Sequence, residues 1–96
     1  MEFELDEKKA LLNQLKHRLS FEGAITAFDD PMALVASDAK HSSQERREWL
    51  IGEMDAKEEV VVVVFTKRGN TCRIISARPA NRKERKQYEF YKRIPF

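Results

Sequence analysis

The chain has 96 residues, 42% of them hydrophobic and 35% charged, a balance that excludes a disordered tail and suits one hydrophobic core, so a single domain spanning residues 1–96 is expected. Its longest apolar run, Val60 to Phe65, is six residues, against the roughly 20 that a membrane-spanning helix needs. The acidic opening (Glu2, Glu4, Asp6, Glu7) lacks the pattern of a secretory signal, and the lone Cys72 permits neither an intrachain disulfide nor a cysteine-based zinc cluster. A cytoplasmic protein with no membrane contact is therefore expected.

Phe3 and Leu5 alternate with acids, which predicts a short strand leading to Asp6 as the N-cap of a helix. That helix runs from Glu7 to about Arg18, with Leu11, Leu15 and Leu19 at four-residue spacing on its apolar face. Ser20 caps a second helix, Phe21 to about Phe28, with Phe21, Ala24, Ile25 and Phe28 as its apolar stripe, and Asp29, Asp30 and Pro31 stop it. Met32 to Ala36 is read as a short strand, Ser37 to Gln44 as a loop, and Arg46 to Glu53 as a strand in which Arg47, Trp49 and Ile51 alternate. Five consecutive valines make Val60 to Thr66 a central strand buried on both faces.

Lys67, Arg68, Gly69 and Asn70 then read as a polar turn, and Thr71 to Ala77 as the returning strand, ended by Arg78 and Pro79. Asn81 followed by Glu84 has capping-box spacing for a final helix, Arg82 to about Lys92. A short N-terminal strand, two helices, a three- to four-stranded mostly antiparallel sheet and a C-terminal helix define the α+β class.

Charge is polarised along this order. Residues 1–60 carry eight Lys and Arg against fourteen Asp and Glu, and residues 61–96 carry ten against two. Such a C-terminal third suits an anionic partner, nucleic acid first. Its cations are mostly arginine (Arg68, Arg73, Arg78, Arg82, Arg85, beside Lys67, Lys83 and Lys86), whose planar fork grips phosphate through two donors. In strict strand alternation Arg73 shares a face with Ile75 while Arg78 points to the other, so a common site for Arg68, Arg73 and Arg78 requires the chain to turn near Arg78.

The residues for proton transfer are fewer. His17 is assigned to the end of the first helix, where an imidazole meets the helix dipole, and His41 to the polar loop before Glu45 and Arg46. Tyr88 and Tyr91 are assigned first to packing, with base stacking or proton donation as the minority role. Asp29 and Asp30 are read as turn formers before Pro31 rather than cation ligands. No HExxH, phosphate-binding glycine loop or GxSxG motif is present.

Taken together, FELDEKKALLNQLKH (residues 3–17), SFEGAITAFDDP (20–31), DAKHSSQERR (38–47) and TKRGNTCRIISARPANRKERKQYE (66–89) resemble the BrnT ribonuclease toxins of type II toxin–antitoxin systems. The last stretch, with its RIISAR core, is the most specific. One departure is Arg18, where that family commonly has glycine after Lys-His. The resemblance implies a compact RelE-like fold and a metal-independent endoribonuclease without cofactor that arrests translation. It also implies a BrnA-like antitoxin that neutralises the toxin and supplies the DNA-binding part, so DNA is met only through that partner.

It places the functional basic positions on Arg68, Arg73 and Arg78, with Arg82, Glu84 and Arg85 ranked second. RNA cleavage by its own 2′-hydroxyl needs a base, charge stabilisation on the phosphorane and an acid for the leaving 5′-oxygen. Arginine supplies the second, and His41, Glu84 and Tyr88 are the candidates for the others. Lys67, Arg82, Arg85, Lys86 and Tyr88 are the expected RNA-binding residues. The residues by themselves leave open a non-catalytic nucleic-acid-binding module and a basic face made for an acidic protein partner.

Overall fold

Val60–Arg68 forms the middle strand of a five-stranded sheet ordered β1-β5-β4-β3-β2. The computed structural model describes residues 1–38, 46–55 and 59–93. The strands are β1 (Glu2–Glu4), β2 (Leu34–Ser37), β3 (Arg47–Glu53), β4 (Val60–Arg68) and β5 (Thr71–Pro79). The helices are α1 (Glu7–His17), α2 (Phe21–Ala24), continued by a 3-10 segment Ile25–Asp29, and α3 (Arg82–Lys92). The α+β class holds, but the strand count rises above the expected three to four, because β1 joins the sheet by pairing parallel to β5, Phe3 opposite Cys72. Alternation marks a strand; it does not name the partner.

The valines fill both sides of β4. Val61 and Val63 pack with Phe65, Cys72, Ile74, Ala77 and Leu50 under the helical hairpin, which contributes Leu19, Phe21, Ala24 and Ala27. Phe3, Phe28 and Phe65 meet edge to face there, with centroids 4.9 and 5.1 Å apart. Val60 and Val62 face the other way, against Ile51, Ala80 and Tyr88 of α3. Gly52 keeps the 3-10 segment close to β3, since a Cβ there would stand 3.0 Å from the Ala27 carbonyl oxygen.

Helix starts follow the expected caps. Asp6 accepts from Lys8 and Lys9 N–H, Ser20 from Gly23 N–H, and Asn81 and Glu84 form a complete capping box. The second helix shortens and tightens, however. Thr26 Oγ1 donates to the Gly23 carbonyl at 2.6 Å, and the chain runs on as a 3-10 turn to Asp29. Asp30 then makes the expected turn, accepting from Met32 N–H. Its second oxygen accepts from Glu53 N–H and from the Tyr88 hydroxyl, so one carboxylate ties the loop to β3 and α3.

The first helix departs most from expectation. Leu11 and Leu15, read as its apolar face, are 63% and 73% exposed. The face turned to the sheet holds Ala10 and Asn13 instead, and only Leu19, beyond the helix, is buried. Asn13 decides this orientation. Its Nδ2 donates to the Leu19 carbonyl and its Oδ1 accepts from Ala77 N–H, each at 3.0 Å. Both partners are buried, so the two bonds outweigh an alternative rotation that would bury leucine.

Two expected boundaries also move. Lys67 and Arg68 belong to β4, leaving Gly69, at φ 61°, and Asn70 as the turn. Arg78 and Pro79 continue β5 rather than ending it. Ala80 N–H points inward to the Val60 carbonyl, so the N–H that proline lacks falls on the outer edge, where β1 no longer runs.

Candidate functional site

The arginines of β5 share one face because the strand contains a bulge. Val64 pairs with Ser76 and Phe65 with Ile74, which leaves Ile75 as an extra residue. Cross-strand partners project to the same side of an antiparallel pair. Arg73 pairs with Thr66, and Arg78 with Val62, which lies in the cluster beneath α3. Residues 62 and 66 are an even number apart on β4, so Arg73 and Arg78 emerge on the α3 side together. Strict alternation assigned them to opposite faces. The bulge corrects that, and Asn13 bonds β5 just beyond it, at Ala77.

The row through Thr66 is wider than β5. Glu4 stands beside Arg73, and Arg47 stands across β4 from it, so a row Glu4, Arg73, Thr66, Arg47 crosses four strands. Arg47 was missed as a candidate. Its alternation with Trp49 and Ile51 was visible, but its place across from Arg73 depends on strand pairing. Arg68 pairs with Thr71, six residues along β4 from the partner of Arg78. At 3.3–3.4 Å per residue that separates Arg68 and Arg78 by about 20 Å. The expected convergence of Arg68, Arg73 and Arg78 on one point is thus corrected to a line, with Arg73 about 7 Å from the Arg68 end.

Arg73 and Arg78 are held by carboxylates. Arg73 Nη2 donates to Glu4 Oε1 at 2.9 Å, with both side chains well exposed. Arg78 makes a two-pronged pair with Glu84, Nη1 to Oε1 at 2.7 Å and Nη2 to Oε2 at 2.8 Å, and Nη1 also donates to the Pro79 carbonyl. Those bonds use three of its five N–H donors, so at most two remain for a phosphate. The Arg78 fork holds the Glu84 carboxyl below the usual range, outweighing the effect of partial burial, with Asn81 N–H adding to it. Glu84 is therefore a positioning group for Arg78 and the start of α3, and it is a weak base.

Other expected site residues lie apart from this face. Lys67 pairs with Cys72 of the opposite core, so it projects on the helical-hairpin side and leaves the arginine line. Tyr88 is 1% exposed; its hydroxyl donates to Asp30, and burial, then that bond, push its pKa far up. It is a packing residue that cannot stack on RNA. Arg82, Arg85 and Lys86 are exposed on α3, Arg82 and Lys86 on the side away from Glu84 and Tyr88. His17 is half-buried in the last turn of α1, on the far side of the sheet, and His41 lies outside the described residues. Among the described residues no three His, Cys, Asp or Glu side chains come together as a metal site.

Chemically, the face offers fixed positive charge aimed outward from a rigid sheet, which suits stabilising an anionic phosphate or phosphorane. Fold and site thus define a small α+β protein that presents arginine to an anion. Over residues 5–84 the chain matches the family described as "Ribonuclease toxin, BrnT, of type II toxin-antitoxin system", and it belongs to that family. Comparison with curated proteins finds no match. Membership makes it a toxin-class ribonuclease, with an antitoxin partner and an RNA target implied.

Proposed function

We propose that the arginine line on the α3 side of the sheet binds an RNA strand and promotes its cleavage by the neighbouring 2′-hydroxyl, without a metal ion or cofactor. The observation that carries this is the bulge at Ile75, which sets Arg73 and Arg78 on one face in a chain of the BrnT family. Arg73 and Arg78 neutralise the phosphate and the developing phosphorane, and Arg68 and Arg47 extend the grip along and across the strand. Arg82, Arg85 and Lys86 add longer-range attraction from α3. Glu84 aims Arg78, and His41 is the proposed proton-transfer residue. The whole chain acts as one cytoplasmic, RelE-like toxin domain that stops translation. A BrnA-like antitoxin neutralises it and makes any contact with DNA.

The test is cleavage of a single-stranded RNA in excess chelator, comparing wild type with Arg73→Ala and Arg78→Ala. The wild type is expected to cut and each variant to cut at least about 100-fold more slowly, the loss of roughly 3 kcal/mol that removing one transition-state donor brings. Circular dichroism checks that each variant remains folded. Intact RNA with folded wild type, or an Arg73→Ala variant as fast as wild type, overturns the proposal.

One observation favours a second reading. Among the described residues Glu84 is engaged by Arg78 and Tyr88 is buried, so this face shows no poised base. A non-catalytic RNA-binding module would bind with a steep salt dependence and leave the RNA whole.

A further inference from the structure

Helix α1 is built inside out. Its sheet-facing side carries Ala10 and the polar Asn13, while Leu11, Leu12 and Leu15 are 63%, 64% and 73% exposed. Residues three and four apart are neighbours on a helix surface, so these leucines form one contiguous apolar patch. A patch of this kind on an otherwise charged helix marks an interaction surface, because exposing it in water is unfavourable and local packing offers no compensation. The two Asn13 bonds prevent the helix from rolling to bury it.

Charge around the patch narrows the occupant. Lys8, Lys9, Lys16 and Arg18 flank the leucines, against Asp6, which lies beside Lys8 and Lys9, and Glu7 in the first turn, so cations outnumber acids there by four to two. A second copy of this chain would bring the same cations against each other, which is unfavourable across an interface. An acidic partner meets no such repulsion. We propose that this face of α1 is the docking site of the antitoxin, which covers it with an amphipathic helix whose apolar stripe is edged by Asp and Glu. This rests on the toxin–antitoxin reading given above.

The placement has a mechanical consequence. Asn13 reaches Ala77, whose side chain belongs to the helical-hairpin core, whereas Arg73 and Arg78 emerge on the α3 side. Docking and RNA contact therefore use opposite faces of the sheet. Substitutions of the α1 leucines alter antitoxin affinity without touching the arginines, and arginine substitutions do the reverse.

The experiment uses the full chain and, as probe, the purified product of the reading frame adjoining its gene. Leu11→Ser combined with Leu15→Ser is expected to weaken binding at least about 100-fold while RNA cleavage and Tm stay near wild type. Lys8→Glu combined with Lys16→Glu is expected to slow association about tenfold at low salt, a difference that high salt removes. Arg73→Ala is expected to bind the probe as wild type does while losing cleavage. The docking proposal is overturned if the leucine variant binds within about threefold of wild type, if wild type does not bind the probe, or if the variant merely converts a dimer of this chain to monomers. Failure of the ribonuclease reading shows separately, as intact RNA with a wild-type chain whose probe binding still depends on the leucines.

Discussion

Asn13 joins the stability of the fold to the geometry of the site, and Asn13→Ala isolates that link. The residue is 7% exposed, and its side-chain amide makes two bonds, to the Leu19 carbonyl and from Ala77 N–H, both at 3.0 Å. Alanine removes both partners at once and leaves a buried acceptor and a buried donor unsatisfied. At about 1–3 kcal/mol for each stranded group, the loss is about 2–6 kcal/mol. For a domain of this size each kcal/mol lowers Tm by about 4–8 °C, so a fall of about 10–50 °C is expected.

Urea unfolding gives the stability loss, and amide hydrogen exchange read by NMR gives its location, with Ala77 expected to lose protection first. Asn13→Asp is a sharper companion, since it keeps an acceptor for Ala77 but turns a carboxylate toward the Leu19 carbonyl. Burial raises the pKa of that carboxyl in the folded state, so the protonated form is favoured there. Its deficit is therefore smallest at acid pH and grows as pH rises through the raised folded value. A loss under about 1 kcal/mol for Asn13→Ala, with Ala77 exchange unchanged, would refute the assignment of Asn13 as the anchor of α1 on β5.

Arg18 occupies the left-handed region at φ 56°, capping α1 through its N–H to the Gln14 carbonyl. Arg18→Gly removes the Cβ penalty and is expected to stabilise by about 0.5–1 kcal/mol, read as a Tm rise of a few degrees. Glu84 has its carboxyl lowered by the Arg78 fork, so the stabilisation from that pair is fully present above the ordinary Glu value near pH 4.3 and is lost as pH falls through the lowered one. Glu84→Gln should flatten that acid limb and cost about 1 kcal/mol at pH 7, a modest figure because the Arg78 side chain is 40% exposed. Tyr88→Phe leaves Asp30 without its hydroxyl donor and should cost about 1–3 kcal/mol in urea unfolding. Burial pushes the Cys72 thiol up to about 11, so a thiol reagent at pH 8 should label it only as the protein unfolds.

The caps, the valine strand and the basic C-terminal third were legible in the sequence, because each depends on residues within a few positions of one another. Asp6, Ser20 and Asn81 accept backbone N–H groups two or three residues ahead, so their roles are written locally. The expected leucine face of α1 failed for the opposite reason. Periodicity shows that a helix has an apolar stripe, but Ala77, 64 residues away, determines which stripe meets the sheet. The arginine site failed in the same way, since the β4 register places the extra residue at Ile75 and moves Arg78 to the side of Arg73.

By itself, then, the sequence determined the element types, their starts, the class of the fold, the charge that seeks phosphate and, through the RIISAR stretch, the family. Tertiary structure alone decided the parallel pairing of β1, the outward leucines, the engagement of Glu84 and the line of arginines on one face. The physical reason is range. Capping, propensity and charge are properties of short segments, whereas the direction of a side chain in a sheet follows from hydrogen-bond register with strands distant in the chain, and one bulged residue reverses it.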